Sequence, residues 1–568
     1  MAGLFLTAFS VLGTESALAA ILPGPADINR IMPTQPAPTA PPSTAPEQNI
    51  QVPSSPLYTT PEPKNAKSIQ FVLRGIWFDH VTVFSSQQLK KLYQPYVGKD
   101  VTLEIAWQIA AALTERYRQE GYFLSRAFVP AQDIFKGTLK IQAVEGYIGD
   151  VSLTGDAPAS SLVSRAVDAI KAERPARMQT LERQLLLLSD LPGVSFQATL
   201  EPMQNKDEPS VRLILMARKT KGVTTLGIDN GGSRYLGPYE TSAAWSGSLL
   251  PLQQTDLSVQ WIPAATTAAN GNLYAFNATQ KMMLSMATSL DVTGGYTNAV
   301  PGYTLKPQDI TSQSVNGGVG LSYRLVRQRD ETLTTRLSMD FRDSDSNILN
   351  TVLSRDRIRA VNVGLNYDDT DSWFGNSYPG HNNLDVALRR GLPIFNSNSA
   401  NDPNASRPDT SPDFLKLTAS YNRLQSLARD VSASLTLSGQ KSSQSLYSSE
   451  EFGYGGMAVG RAYDTSEISG DSGMTGSLEM RYQGLPAINQ TTMTPYFFYD
   501  IGKVWNYNVG QPEQISAASA GPGMRFQCTS GLSGNFYVAR PLTKTASTPL
   551  YGGDGTAPRF VFQISDKF

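Results

Sequence analysis

The chain has 568 residues and a formal net charge of −1, so it lacks the excess of positive charge that nucleic-acid binding requires. Its charged fraction of 17% lies below the roughly 25% of soluble domains, and no apolar run reaches the about 20 residues of a membrane-spanning helix. One cysteine, Cys528, and two histidines, His80 and His381, exclude a disulfide framework and any metal site that needs several such ligands. We predict no cofactor. Because neither histidine lies in a catalytic motif, we also predict no enzymatic activity.

Residues 1–19 are predicted to be a signal peptide. An apolar run at residues 4–12 precedes Ala17-Leu18-Ala19, where two small residues flank one other residue. Signal peptidase cleaves after such a pattern, so we expect export and cleavage before Ala20.

Residues 20–66 are predicted to connect this segment to the first folded domain. Residues 21–32 are expected to form a short helix that ends at Pro33, because proline cannot continue a helix. Residues 33–63 alternate proline, threonine, alanine and serine, which predicts an extended tether without a core of its own.

Two α/β units follow, at residues 67–146 and 147–221. In the first, Ser85 is predicted to cap a short helix, and an apolar stripe from Leu103 to Tyr117 predicts a second helix that ends at Gly121. Strand patterns before and after the helices give the order β-α-α-β-β. The second unit repeats this order, so the sequence predicts two tandem copies of one small domain.

From residue 222 to the end, the chain alternates apolar and polar residues in strand after strand. Residues 319–325 and 333–342 are typical, since their apolar residues recur at every second position, and the short charged link between them predicts an antiparallel hairpin. At about 20 to 22 residues per strand and connection, this region holds roughly 16 strands. We therefore predict a closed antiparallel β-barrel.

The apolar faces of these strands are predicted to point outward. Alternation alone also fits a soluble β-sandwich, but a closed sheet of roughly 16 strands encloses a lumen that side chains cannot fill. An inward apolar face would line water, and Arg324, Arg336 and Lys416 fall on the opposite, polar face. The predicted fold class is a membrane all-β protein, with a transmembrane barrel at residues 222–568 preceded by two α/β domains.

The last nine residues, 560–568, carry Phe560, Phe562, Ile564 and Phe568. They resemble the closing strand by which bacterial outer-membrane barrels are recognised for assembly, with Phe568 as the carboxy-terminal signal. The alternative is the closing core strand of a soluble domain. The resemblance implies that outer-membrane lipid and the barrel-assembly machinery are partners of the chain.

Three stretches resemble one family of transporters. Residues 121–146 begin Gly-Tyr-Phe-Leu-Ser-Arg-Ala-Phe-Val-Pro and end Val-Glu-Gly. They are similar to the first polypeptide-transport-associated (POTRA) domain of the TpsB proteins, the haemolysin activation and secretion proteins of two-partner secretion. Residues 181–194 resemble the second POTRA domain, and residues 229–237 resemble the first barrel strand and turn. The resemblance covers residues 69–568 and implies an outer-membrane barrel in a Gram-negative bacterium, with both POTRA domains in the periplasm.

Two further motifs resemble the parts of this family that carry its mechanism. Residues 452–473 are similar to the long sixth extracellular loop, which folds back into the lumen, and residues 498–502 match the inward-facing Phe-x-Asp-x-Gly strand. The resemblance implies that Arg461 at the loop tip pairs with Asp500, and an arginine inside a lumen does need a carboxylate on an inward position. The alternative is an Arg461 exposed in a flexible loop. The other predicted site residues are Val459, Gly460, Ala462, Tyr463, Gly470 and Asp471 in the loop and Phe498 and Gly502 in the strand.

At one position the loop departs from the family pattern. Ala462 stands where the family usually has a glycine. The exchange is conservative unless the backbone there has a positive φ, where alanine is penalised.

The resemblance implies a transporter that binds a large TpsA-type exoprotein by its amino-terminal secretion domain and passes it unfolded to the cell surface. The POTRA domains are expected to take this client by strand addition, at a sheet edge or in the helix groove. One candidate edge is the strand at residues 138–144, with Leu139, Ile141 and Ala143. Alternatively, the POTRA domains only space the barrel from the periplasm.

Two other functions stay open. A barrel-assembly insertase shares the POTRA domains, the loop and the Phe-x-Asp-x-Gly strand, and an outer-membrane hydrolase is a third class.

The family often carries a plug helix before the tether. Because so few residues precede Pro33, we do not expect a full plug here.

Overall fold

The computed structural model describes residues 22–28, 30, 62–134, 137–203, 209–263, 271–507, 512–550 and 553–568. The predicted signal peptide and nearly all of the predicted tether lie outside these residues. Within the described ranges, no helix has the length and apolarity of a membrane span.

The first α/β unit is a three-stranded sheet covered by two helices, with a separate two-stranded ribbon beside it. The sheet order is β2-β5-β4, and β1 pairs with β3. Ser85 caps α1 through a capping box, and Gly121, with φ of 87°, follows α2, so both predicted helix ends are confirmed. The elements are β1 (Gln70–Val72), β2 (Gly75–Asp79), α1 (Ser86–Tyr93), β3 (Asp100–Thr102), α2 (Glu104–Gln119), β4 (Arg126–Phe128) and β5 (Thr138–Val144).

Strand β5 is the centre of its sheet, so its prediction as a client-binding edge is wrong. It pairs with β2 in parallel and with β4 antiparallel, because the helical crossover returns the chain beside β2 and the hairpin from β4 takes the other side. Gln132 covers the rest of that side, with its side-chain amide bonded to N and O of Lys140 at 2.6 Å each. Leu139, Ile141 and Ala143 are buried against α2.

The second unit has the predicted order β-α-α-β-β. Its central strand is β8, flanked by β6 and β7. Leucines of α4, such as Leu185 and Leu188, pack against Leu213 and Leu215 of β8. The elements are β6 (Tyr147–Gly155), α3 (Ser161–Ala172), α4 (Met178–Ser189), β7 (Val194–Pro202) and β8 (Ser210–Lys219).

The rest of the chain forms the predicted closed antiparallel barrel, which has 16 strands. The first strand pairs with the last, and the predicted hairpin between residues 319 and 342 is present. The strands are β9 (Val223–Asp229), β10 (Glu240–Gly247), β11 (Gln253–Ile262), β12 (Asn272–Met283), β13 (Thr288–Val300), β14 (Ile310–Arg327), β15 (Glu331–Ile348), β16 (Thr351–Asp371), β17 (Gly380–Gly391), β18 (Leu415–Ala428), β19 (Val431–Ser442), β22 (Ser472–Tyr482), β23 (Thr491–Trp505), β24 (Gln514–Cys528), β25 (Ser533–Pro541) and β26 (Arg559–Lys567). Between β19 and β22, the short strands β20 (Phe452–Tyr454) and β21 (Ile468–Gly470) pair with each other.

The apolar faces point outward, as predicted. Val319, Leu337 and Phe341 are exposed on the outer surface, whereas Arg336 faces the lumen and pairs with Asp291. Because β9 follows the second α/β unit, each odd connection of the barrel lies at the end far from that unit. These eight far connections are called loops 1–8, and the sixth joins β19 to β22.

Among the described residues, three segments pack together in the outer part of the lumen: loop 6 (residues 443–471), the buried residues of loop 5 (residues 392–414), and residues 22–28 and 30. The described residues of the last segment contain one 3₁₀ turn, Gly24–Ala26, where we expected a longer helix over residues 21–32, of which residues 21, 29, 31 and 32 lie outside the described part. Pro23 and Pro25 explain the difference, because neither has an N–H to donate. Ala26 and Ile28 are buried against loop 1 and the outer ends of the neighbouring strands.

Candidate pore-closing site

The tip of loop 6 is bound to Asp500 through its backbone. The backbone N–H groups of Gly460 and Arg461 donate to Asp500 Oδ2 at 3.0 and 3.2 Å. Ser477 donates to Oδ1 at 2.7 Å. Asp500 is fully buried, on the inward face of β23 between the outward-facing Tyr499 and Ile501. The carboxylate therefore fixes the loop tip to the barrel wall.

The guanidinium of Arg461 lies between two carboxylates. Its Nη1 is 3.0 Å from Glu479 Oε2, and its Nε is 3.7 Å from Asp500 Oδ2. Nη1 is not aligned for a hydrogen bond, so the contact with Glu479 is an ion pair only. The guanidinium also stacks on Phe498, with its carbon 4.1 Å from the ring centroid. The structure thus brings Arg461, Asp500 and Phe498 together.

Glu479 was missed by the sequence analysis. It lies on the inward face of β22, two residues after Ser477, and it also pairs with Arg481 at 2.7 Å and with Arg525. The alternation of Leu478, Glu479 and Met480 was the available signal, because it places the carboxylate on the same wall as Asp500. One buried acid therefore neutralises part of a cluster of three arginines.

Two glycines allow loop 6 to approach the wall closely. Gly460 has φ of 83°, a conformation that suits glycine. A Cβ on Gly502 would lie 2.2 Å from the ring of Tyr454, so only glycine leaves room for that side chain. Ala462 is buried and its φ is not positive. Alanine in place of the family's glycine therefore introduces no backbone strain.

The remaining predicted loop residues lie around the tip. Tyr463 donates its hydroxyl to the backbone oxygens of Ala518 at 3.0 Å and Lys544 at 2.7 Å, which joins loop 6 to β24 and loop 8. Val459 packs against the apolar cluster beside the tip. Gly470 lies at the base of the loop, where a Cβ would stand 2.8 Å from the backbone oxygen of Trp505.

Asp471 is distant from the tip and binds loop 5 instead. It pairs with the fully buried Arg407, whose Nη1 also lies 3.0 Å from Glu451 Oε1 and donates to the backbone oxygen of Leu446 at 2.8 Å. Arg407 thus ties loop 5 to both ends of loop 6. Its role was not visible in the sequence, because loop 5 has no strand pattern to place it.

The amino-terminal segment is bound to the same loop. Arg30 pairs with Glu451, and Ser466 donates to the backbone oxygen of Arg30 at 3.2 Å. Ser233 of loop 1 donates to the backbone oxygen of Pro25 at 2.9 Å. Glu451 is therefore ion-paired with two arginines, Arg30 of the amino-terminal segment and Arg407 of loop 5.

Comparison with known proteins identifies the family of the barrel and of the first α/β unit. The profile described as "Haemolysin secretion/activation protein ShlB/FhaC/HecB" matches residues 213–526, more than half of the chain, and a ShlB-type POTRA domain matches residues 71–146. The chain belongs to the ShlB/FhaC/HecB family. It is an outer-membrane transporter of two-partner secretion, with its POTRA domains in the periplasm and a secreted exoprotein as its partner.

Named relatives agree with this assignment. The heme/hemopexin transporter protein HuxB of Haemophilus influenzae is 25% identical over 475 residues, which cover 80% of this chain and 81% of HuxB. The outer membrane transporter CdiB of Dickeya dadantii is 24% identical over 443 residues, covering 74% of each chain. The two relatives are themselves named as transporters.

Solved structures share the fold. CdiB from Escherichia coli matches with a TM-score of 0.70 at 20% identity, over 90% of this chain and 94% of that one. BamA from Haemophilus ducreyi, in a form lacking POTRA domains 1–3, matches with a TM-score of 0.51 at 13% identity, over 88% and 99%. At 13% identity, the likeness to BamA shows only a common barrel architecture. The family match and the named relatives point to secretion, so the insertase alternative is less supported.

The carboxy terminus of this ShlB/FhaC/HecB protein closes the barrel at its periplasmic end. Phe568 exchanges backbone hydrogen bonds with Thr224 of β9, at 2.9 and 3.2 Å, while its ring is 67% exposed on the outside. The ring is thus accessible to other molecules even though the backbone is paired.

Proposed function

We propose that this transporter takes one large TpsA-type exoprotein from the periplasm and passes it, unfolded, through the barrel to the cell surface. The observation that carries the proposal is the set of contacts in the outer part of the lumen, where loop 6, Arg407 of loop 5 and residues 22–28 and 30 pack against one another and against the barrel wall. Hydrogen bonds and ion pairs hold much of this filling in place. Water or another polar chain can replace such contacts, so the closure suits a passage that opens for a client and closes again.

Arg461 and Asp500 are proposed to hold loop 6 in its resting position. Both residues are buried, and the loop tip has hydrogen bonds to Asp500 on two successive N–H groups. Removing one partner of a buried charge pair commonly costs about 3 to 5 kcal/mol, and a wet lumen lowers that figure. The loop is therefore held firmly enough to rest inside and weakly enough to be displaced.

Client capture is proposed to occur on free strand edges of the POTRA domains. Among the described residues, β2 pairs only with β5, and in the second domain β6 and β7 pair only with β8. An unfolded segment can add a strand at such an edge through its backbone, with little dependence on sequence. Trp77 in β2 is 66% exposed and offers an apolar surface beside the edge. This replaces β5 by β2 as the candidate edge.

Two further partners are part of the proposal. The outward apolar faces of the barrel contact outer-membrane lipid, and the exposed ring of Phe568 is recognised by the barrel-assembly machinery during biogenesis. Transport is proposed to need no catalysis by this chain, since folding of the client outside the cell drives its passage. Substitution of His80 and His381 should then leave export unchanged.

Deletion of the gene tests the proposed function. We expect one exported protein, the one encoded beside the transporter, to disappear from the cell surface, while the amounts of other outer-membrane barrels stay constant. A general loss of barrels would support the insertase alternative. Unchanged export of the neighbouring exoprotein would refute the proposal.

A further inference from the structure

The seam between the first and last barrel strands has the shortest ladder in the barrel. The register of β9 with β26 runs from Asp229 opposite Gln563 to Thr225 opposite Lys567. Towards the outside, β9 ends at Asp229 while β26 continues to Arg559. One further backbone hydrogen bond, from Asn230 N–H to the oxygen of Phe562 at 3.2 Å, extends the seam, and beyond it β26 has no strand beside it on this side.

The side chain of Asn230 takes the place of the missing strand. Its amide Nδ2 donates to the backbone oxygen of Phe560 at 3.0 Å, and its Oδ1 accepts from the backbone N–H of Phe562 at 2.8 Å. An amide side chain has the same donor and acceptor as a peptide group, so it continues the ladder by one step. This explains the asparagine of the Asp-Asn-Gly-Gly motif at residues 229–232.

Arg559 closes the seam above Asn230. Its Nη2 donates to the backbone oxygens of Gly231 and Gly232 at 3.2 and 3.0 Å, and its Nη1 pairs with Asp464 Oδ1 at 2.8 Å. The side chain is buried, and its Nε has no hydrogen-bond partner among the described residues. One guanidinium thus joins the last strand, loop 1 and loop 6.

Loop 6 contacts the seam in a second way. Met457 lies against Gly231, where a Cβ would stand 2.6 Å from the methionine sulfur. Asp464 also accepts a hydrogen bond from Thr548 of loop 8 at 3.1 Å. The seam and loop 6 are therefore packed together as well as paired by charge.

We propose that Arg559 is a positioning residue that couples loop 6 to the closure of the barrel seam. With loop 6 inside, Asp464 holds the guanidinium against Gly231 and Gly232, and the outer end of the seam is closed. When loop 6 leaves, as the proposed function requires, the buried cation loses its counter-charge and must be rehydrated. Its contacts with the carbonyl oxygens are then released, and the barrel can widen at this seam while the other ladders stay intact.

Hydrogen exchange of the purified transporter, without a client, tests the coupling. Arg559→Gln and Asp464→Asn should each speed exchange of the outer amides of β26, such as that of Phe562, by at least about tenfold, which corresponds to about 1.4 kcal/mol of protection. Arg559→Lys should give a smaller increase, because one ammonium cannot span both partners. Arg336→Gln, which breaks the Arg336–Asp291 pair on a distant part of the wall, should leave the seam unchanged. Unchanged exchange at the seam in Arg559→Gln and Asp464→Asn would overturn the proposal.

A cross-link tests whether the seam opens in transport, with Arg559 intact. In a Cys528→Ser background, Ile228→Cys and Ile564→Cys place thiols on residues that face each other across the seam. A short bifunctional thiol reagent should block export through this variant. The matched pair Leu226→Cys and Ala243→Cys joins β9 to β10 and should leave export intact. Normal export through a cross-linked seam would overturn the proposal, while the proposed secretion function would stand.

Discussion

The guanidinium of Arg461 lies closer to Glu479 than to Asp500. Its Nη1 is 3.0 Å from Glu479 Oε2, whereas its Nε is 3.7 Å from Asp500 Oδ2. Asp500 instead accepts the backbone N–H groups of Gly460 and Arg461. The two carboxylates therefore have different tasks. Glu479 balances the charge of the arginine, and Asp500 fixes the turn on which the arginine stands.

Arg461→Ala is expected to abolish export while the barrel stays in the membrane. Glu479→Gln should reduce export in part, because Arg461, Arg481 and Arg525 then share a wall without their common acid. Export of the client and heat-modifiable migration of the barrel on gels measure the two properties separately. Arg355→Ala, which breaks an exposed pair with Asp345, is the control and should change neither. Normal secretion by Arg461→Ala would remove the pairing from the mechanism.

Gly502→Ala is expected to push loop 6 away from the wall. The added Cβ would meet the ring of Tyr454 at 2.2 Å, so either the ring or the loop has to move. Limited proteolysis of loop 6 in intact cells should become faster. Gly364→Ala provides the matched control in another barrel strand, because its Cβ would have no neighbour closer than 3.7 Å. Equal cleavage of the two variants would contradict the prediction.

Asp190→Asn is expected to loosen the second POTRA domain from the barrel. Asp190 receives two hydrogen bonds from Arg327, at 2.9 and 3.0 Å, and Arg324 lies 3.5 Å away. The distribution of spin-label distances between the domain and the barrel should broaden. The double exchange Asp190→Arg with Arg327→Asp should make that distribution narrow again.

A neighbouring ion pair serves as the control for this prediction. Glu182 and Arg329 join the same two parts at 2.9 Å, but Arg329 is half exposed. Exposed pairs contribute only about 0 to 1 kcal/mol, so Glu182→Gln should leave the distance distribution nearly unchanged. A larger effect from Glu182 than from Asp190 would be inconsistent with the assignment.

Removal of residues 22–30 is expected to raise the single-channel conductance. Within this segment, residues 25–28 are buried in the outer lumen, and Arg30 pairs with Glu451 of loop 6. Arg30→Ala should raise the conductance less than the deletion, and Arg30→Lys less again. Identical conductance with and without the segment would show that the segment does not obstruct the pore.

Tyr117→Phe is expected to weaken the first POTRA domain by about 1.5 to 3 kcal/mol, because a hydrogen bond from a buried hydroxyl to a charged carboxylate is lost. The Tyr117 hydroxyl donates to Glu145 Oε1 at 2.7 Å, and that carboxylate also accepts the N–H of Thr82 at 2.8 Å. Hydrogen exchange of α2 in the full chain measures the loss. Tyr93→Phe is the control, since no described residue hydrogen bonds to its hydroxyl.

The same tyrosine predicts how this domain responds to alkali. Burial, and then the hydrogen bond to Glu145, raise the pKa of Tyr117 above its usual value. The folded state therefore holds the phenolic proton more tightly than the unfolded state does. The stabilisation is complete below the unfolded pKa of about 10 and falls as the pH rises beyond it. In Tyr117→Phe, this alkaline decline should be smaller.

The sequence predicted the barrel because alternation is a local property of each strand, and it predicted Arg461 and Asp500 through motif resemblance. Strand order within a sheet is a different matter, since β5 became central only through a parallel partner distant in the chain. Arg407 and Glu451 were not predicted for a related reason. Their partners come from separate loops, and no local pattern encodes which loops meet inside a lumen.

The side chains that fill the resting lumen have a consequence for the cell that carries them. An outer membrane protects against large hydrophilic antibiotics only while every wide pore in it is obstructed. Here the obstruction is part of the transporter itself, anchored by Arg30, Arg407 and Arg461. Loss of those anchors should therefore appear first as drug sensitivity, before any exported protein is examined.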